Sequence, residues 1–162
     1  MTDRTTEVTV TVNGEVVVRR VEARQHLVDF LREELQLTGS HVGCEHGVCG
    51  ACTLRVEGRI VRGCLMLAAQ ADGLRVDTIE GLAERGEIAD LQEAFLDRNA
   101  LQCGYCTPGM LLTAAELLAT NPNPSRAEIR VYLSGNYCRC TGYQAIVDAI
   151  AAVAARRRGG PA

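Results

Sequence analysis

With 162 residues, 47% of them hydrophobic, the chain can bury a core without disulfide staples and fits one or two small domains. Its formal charge of −3 argues against binding to a phosphate backbone, so no nucleic-acid partner is expected, and the basic run Arg156–Arg157–Arg158 reads as a solvated helix end. No stretch approaches the roughly 18 apolar residues of a membrane span, and residues 1–15 lack the apolar segment of an export signal. No transmembrane segment and a cytoplasmic location are therefore expected.

Taken in chain order, Val8, Val10 and Val12 alternate with Thr9 and Thr11, and Asn13–Gly14 then turns the chain into Val16–Val17–Val18, which predicts a hairpin. Leu27, Phe30, Leu31 and Leu35 recur at helical spacing, with Thr38–Gly39 as the stop. A loop over 40–51 precedes two short strands, 53–56 and 59–64, joined by Glu57–Gly58. Asp72–Gly73 leads into a last strand over 74–79.

Beyond residue 80 the period changes. Leu91, Ala94 and Phe95 mark one helix. A second follows Thr107 as cap and Pro108 as first helical residue, with Met110, Leu111, Ala114, Leu117 and Leu118 on its apolar side. Asn121–Pro122–Asn123–Pro124 stops it. Ser125 and Glu128 form a capping box for a third, ending near Gly135, and a fourth runs over 143–157. The expected domains are thus 1–79, rich in strands, and 80–162, with four helices.

The eight cysteines divide evenly between these halves. In a reducing compartment such thiols bind metal more often than they pair as disulfides. Cys44, Cys49 and Cys52 follow the C-x4-C-x2-C spacing of plant-type ferredoxins, with Cys64 as a fourth ligand. Gly43, Gly47 and Gly50 would let that loop turn at positive φ and aim N–H groups at sulfur. Zinc more often uses paired C-x2–4-C knuckles, and the four-residue first gap is less typical of them. His46, between two of these cysteines, reads as a solvated loop residue, and His26 and His41 have no catalytic partners in the sequence. Cys103 and Cys106 precede one helix, and Cys138 and Cys140 precede another. Helix N-termini present free N–H groups and partial positive charge, which suits thiolates and an anionic cluster. Spacing alone leaves zinc or copper open at this second site.

The segments 43–53 (GCEHGVCGACT), 62–64 (RGC), 102–110 (QCGYCTPGM) and 135–143 (GNYCRCTGY) together resemble the small iron–sulfur subunit of the molybdenum hydroxylases. That family includes xanthine dehydrogenase, aldehyde oxidoreductase and aerobic carbon monoxide dehydrogenase. The resemblance implies an α+β fold, with an N-terminal plant-ferredoxin-like β-grasp domain followed by a four-helix-bundle domain. It implies a [2Fe–2S] cluster on Cys44, Cys49, Cys52 and Cys64, and a second on Cys103, Cys106, Cys138 and Cys140. It further implies a large subunit carrying a molybdopterin-type molybdenum cofactor, with Gln102 beside the pterin, and a medium subunit carrying FAD. The complex would be a heterotrimer or a dimer of heterotrimers, an oxidoreductase whose substrate site lies on a partner. Electrons would pass from molybdenum through the second cluster, then the first, to FAD. A freestanding two-cluster ferredoxin and a zinc-bearing scaffold are the rival readings.

Overall fold

The computed structural model describes residues 4–159, and its first half is built on a five-stranded sheet in the order β2-β1-β5-β3-β4. β1 (Thr5–Val12) and β2 (Glu15–Glu22) form the expected hairpin. Asn13 and Gly14 take φ of 52° and 95°, the left-handed pair whose twist matches that of the flanking strands. Val8, Val10 and Val12 enter the core, as period-two alternation demands, while Val16 and Val18 on the outer strand stay exposed. β3 (Thr53–Val56) and β4 (Arg59–Arg62) repeat the device through Glu57 and Gly58. β5 (Arg75–Asp77) lies between the hairpins, parallel to β1 and antiparallel to β3.

The short α1 (Leu27–Asp29) continues into a wider π-helical turn, Phe30–Glu34, and buries Leu27, Phe30 and Leu31 in the core of the sheet. It ends before Thr38–Gly39. Gln36 turns to φ 58°, and Arg32 Nη1 donates to the carbonyls of Thr38 and Ser40, both at 2.6 Å, bracing a loop where the helix stop was expected. The reading of a strand through Ile79 is also corrected. Asn13 Oδ1 accepts the Thr78 N–H at 2.8 Å, which ends β5 and starts α2 (Ile79–Glu84). Periodicity does not reveal this helix, because Ile79 and Leu82 are its only large buried side chains.

α3 (Ala89–Asp97), α4 (Thr107–Thr120), α5 (Arg126–Tyr132) and α6 (Gln144–Arg157) complete the second half, which holds one helix more than expected. α4 is buried on several sides because it packs on β3 and β4 as well as on α2, α3 and α5. Its cap is Cys106, whose carbonyl accepts the Met110 N–H at 3.0 Å, and Thr107 is already helical. Glu116 of α4 accepts the outward N–H of Ile60 at 2.8 Å and the Tyr132 hydroxyl at 2.5 Å, so the β4 edge is partly covered. At the end of α6, Arg157 forks onto Asp90 at 2.7 and 2.9 Å, and Arg158 donates to the Pro122 carbonyl at 2.8 Å. The basic run is an exposed helix end, as expected, and its guanidinium groups also tie α6 to α3 and the Pro122 loop.

The capping box of α5 forms as expected, with Ser125 Oγ accepting the Glu128 N–H at 3.2 Å and Glu128 Oε2 accepting the Ser125 N–H at 2.7 Å. Ser125→Ala removes one of these bonds and should lower stability by about 1 kcal/mol. A smaller urea midpoint with an unchanged slope would be the corresponding observation.

Candidate metal centres

The loop between the π-helical turn and β3 carries Cys44, Cys49 and Cys52, and the turn after β4 brings Cys64 to them. Cys52 and Cys64 are buried with Val28 and Val42, whereas Cys44 and Cys49 are half-buried. The thiols meet in pairs, Cys44 with Cys49 and Cys52 with Cys64. The loop aims backbone donors at sulfur: the Cys49 N–H points at Cys44 Sγ from 3.4 Å. The N–H groups of Cys49 and His46 pull the Cys44 thiol down to about 6. Burial, reinforced by Cys52, pushes Cys64 up to about 11. Gly47 and Gly50 take the expected positive φ, of 84° and 75°, but Gly43 does not. Glu45, at 58°, supplies the other left-handed position. Gly43 instead leaves room for a ligand, since a Cβ there would lie 3.2 Å from Cys49 Sγ and press that sulfur aside by a few tenths of an ångström.

The second quartet sits where two helices begin. Cys103 Sγ and Cys140 Sγ are 3.6 Å apart near the surface, and Cys106 meets Cys138 on the inner side. Thr141 folds back on Cys138 Sγ, its hydroxyl at 3.1 Å and its N–H at 3.4 Å. Burial opposes ionisation of Cys138, but the donors from Thr141 and Cys140 outweigh it and lower the thiol. Burial pushes Cys106 up to about 12, with the Cys138 sulfur adding to the shift. Tyr143 holds the turn: its hydroxyl accepts the Cys138 N–H at 2.8 Å and donates to the Asn136 carbonyl at 3.3 Å. Exposed Gln102 is close by, its Nε2 donating to the Cys140 carbonyl at 3.1 Å.

These residues fit an iron–sulfur group. The sulfurs come together two by two, as a soft, thiolate-bound group requires. Thiols raised as far as Cys64 and Cys106 keep their protons unless a soft, multiply charged cation replaces them. Thr107 Oγ1, in the residue after Cys106, is buried without a partner, a donor free to serve a group held there. The histidines lie outside both sulfur sets. His46 turns Nδ1 to the Cys44 carbonyl, His26 faces Asp29 at 3.6 Å, and His41 stacks on Tyr105 with centroids 4.4 Å apart.

Sequence reasoning passes over the residues that join the halves. Asn136 is buried at 1% exposure between the cysteine loops. Arg62 Nη2 reaches the Gly135 carbonyl at 2.7 Å, and the Tyr105 hydroxyl reaches the Val42 carbonyl at 2.6 Å. Asn136 and Arg62 stand inside the cysteine motifs, yet nothing local to them announces a partner more than seventy residues away.

Comparison with known proteins agrees with this geometry. A family described as a 2Fe-2S iron-sulfur cluster binding domain matches residues 10–80, and one described as a [2Fe-2S] binding domain matches residues 78–151. The chain is similar to caffeine dehydrogenase subunit gamma of Pseudomonas sp. strain CBB1, 52% identical over 149 residues that cover 90% of this chain and 89% of that one. Its structure resembles a chain of quinoline 2-oxidoreductase from Pseudomonas putida 86, with a TM-score of 0.90 and 51% identity over 98% of this chain and all of that one. It also resembles part of aldehyde oxidoreductase from Desulfovibrio gigas, with a TM-score of 0.87 and 41% identity, covering 95% of this chain and 17% of that longer one. The chain belongs to the small iron–sulfur subunits of the molybdenum hydroxylases. It is accordingly an electron-transfer subunit of a multi-subunit oxidoreductase.

Proposed function

We propose that Cys44, Cys49, Cys52 and Cys64 ligate one [2Fe–2S] cluster and Cys103, Cys106, Cys138 and Cys140 a second. The chain then carries electrons from a molybdenum centre on one partner subunit to FAD on another. The observation that carries this reading is the sorting of eight thiols into two sets, each of two neighbouring pairs. Each pair of thiolates would hold one side of a [2Fe–2S] cluster. The clusters, when bound, supply one-electron storage. The chain's own residues do the rest: cysteines ligate, backbone N–H groups and the Thr141 hydroxyl donate to sulfur, and Val28 and Val42 shield Cys52 and Cys64 from water.

The first half, 1–79, is read as a ferredoxin-like β-grasp and the second, 80–162, as a four-helix bundle of α3 to α6, against which α2 packs through Ile79 and Leu82. Residues 1–3 and 160–162 of these spans lie outside the described residues. Exposed Cys103, Cys140 and Gln102 support docking of the large molybdopterin subunit at the second quartet, with the Gln102 amide toward the pterin. Exposed Val48 and Leu65 beside the first quartet support docking of the medium FAD subunit there. The assembly is a heterotrimer or a dimer of heterotrimers, and the reducing cytoplasm suits eight unpaired thiols. Among the described residues, no helix is long and apolar enough to cross a membrane.

Protein purified without oxygen should contain about four iron and four acid-labile sulfide per chain. Stoichiometric zinc would overturn the cluster reading. Iron and sulfide without co-purifying molybdopterin or FAD would favour a freestanding ferredoxin over a relay.

A further inference from the structure

The two cysteine sets are joined by a small buried polar seam. Asn136 Nδ2 donates to the Gly50 carbonyl at 3.1 Å and to Thr53 Oγ1 at 3.3 Å. Its Oδ1 accepts from Thr113 Oγ1 at 3.1 Å and from Arg62 Nη2 at 3.4 Å, and its backbone N–H donates to the Leu133 carbonyl at 2.9 Å. With both ends of the amide engaged and the side chain out of water, its orientation is held from both halves of the molecule.

That seam borders the cysteines on both sides. Gly50 follows Cys49, and Tyr137 separates Asn136 from Cys138. Between them, the Tyr137 N–H donates to the Cys49 carbonyl at 2.8 Å. From the Cys49 thiol to the Cys138 thiol the path is thus covalent except for one hydrogen bond. The Tyr105 hydroxyl makes a longer connection, since it ends on Val42, two residues short of Cys44, and Tyr105 is exposed.

We infer that Asn136 is a positioning residue that holds the Cys49 carbonyl on the Tyr137 N–H and so fixes the bonded bridge between the two cysteine sets. This rests on the reading that each set holds a cluster. One electron crossing the bridge oxidises one centre by one unit and reduces the other by one, with no proton or bond moved. The bridge contributes electronic coupling and a constant separation. Without the Asn136 amide, the Gly50 carbonyl and Thr53 lose their common partner across the seam, and the contact at Cys49 is held only by its own hydrogen bond and by Arg62, which spans Thr53 and the Gly135 carbonyl.

The test uses the full chain carrying both clusters, reduced with excess dithionite and read by low-temperature EPR. Two nearby paramagnets split each other's signals, and the splitting reports their coupling and separation. Wild-type protein should show two distinct, mutually split signals. One signal or none would defeat the cluster reading itself, and two unsplit signals would defeat only the bridge. Asn136→Ala that still binds a full complement of iron should show a clearly reduced splitting while keeping both signals. Unchanged splitting in that loaded variant, whatever its melting temperature, overturns the inference, because a merely structural role would lower stability alone. Should Asn136→Ala fail to load, Thr113→Val decides, since it removes one bond to Oδ1 and leaves the amide in place. A reduced splitting there supports the bridge, and a wild-type splitting overturns it.

Discussion

Cys106→Ala should retain about two iron per chain and a single EPR signal, that of the ferredoxin-like site. The structure separates the two sets of thiols cleanly. Cys106 pairs with Cys138 at the starts of helices, and none of Cys44, Cys49, Cys52 or Cys64 touches it. Cys49→Ala should give the mirror result, retaining the helical-domain signal. In the assembled enzyme the two variants also report the order of the relay. With Cys49→Ala, substrate should still reduce the helical-domain centre while flavin reduction fails. With Cys106→Ala, neither the remaining centre nor the flavin should be reduced at the normal rate. Rapid-mixing spectra that gave the opposite pattern would reverse the path.

Gly50→Ala should be among the most damaging single-methyl additions in the chain. A Cβ on Gly50 would lie 2.4 Å from the Gly135 carbonyl oxygen and 2.7 Å from Asn136 Nδ2, and the residue holds φ at 75°. Left-handed backbone costs roughly 1–2 kcal/mol for a side-chain-bearing residue, and overpacking adds about 1–3 kcal/mol. The expected loss is therefore about 2–5 kcal/mol, accompanied by weaker cluster retention. Gly58→Ala is the control: φ is 80° there too, but no atom lies within 4 Å, so only the backbone cost applies. Gly109→Ala tests the other term, since its Cβ would meet the Gly50 carbonyl oxygen at 2.4 Å with no left-handed strain. Urea unfolding of the three variants should rank Gly50 above Gly58. Equal losses at those two positions would mean that the halves yield at this contact.

The cysteine motifs were legible because iron–sulfur ligation constrains chemistry and spacing together, and a loop must wrap its ligands within a few residues. Asn13–Gly14 was legible for a similar reason, since few residues accept two successive left-handed positions. The capping box at Ser125 and Glu128 is likewise a contact between near neighbours in sequence. Helix α2 was not legible. Its start depends on Asn13, contributed by a turn far upstream, which accepts the Thr78 N–H. Thr107 misled because a hydroxyl before Pro resembles a cap, whereas packing of α4 draws the helix back to Cys106.

By itself, then, the sequence showed two groups of four cysteines, the hairpins and the four helices α3 to α6, because each depends on interactions within a few residues of the chain. Only the tertiary structure decided how the sets face one another. The seam of Asn136, Thr53, Thr113 and Arg62, and the hydrogen bond from Tyr137 to Cys49, join groups from opposite halves. No local periodicity or propensity encodes such pairs. They arise when α4 settles against β3 and β4, Gly109 meets the Gly50 carbonyl, and polar groups stripped of water must find partners in whatever backbone the packing brings near.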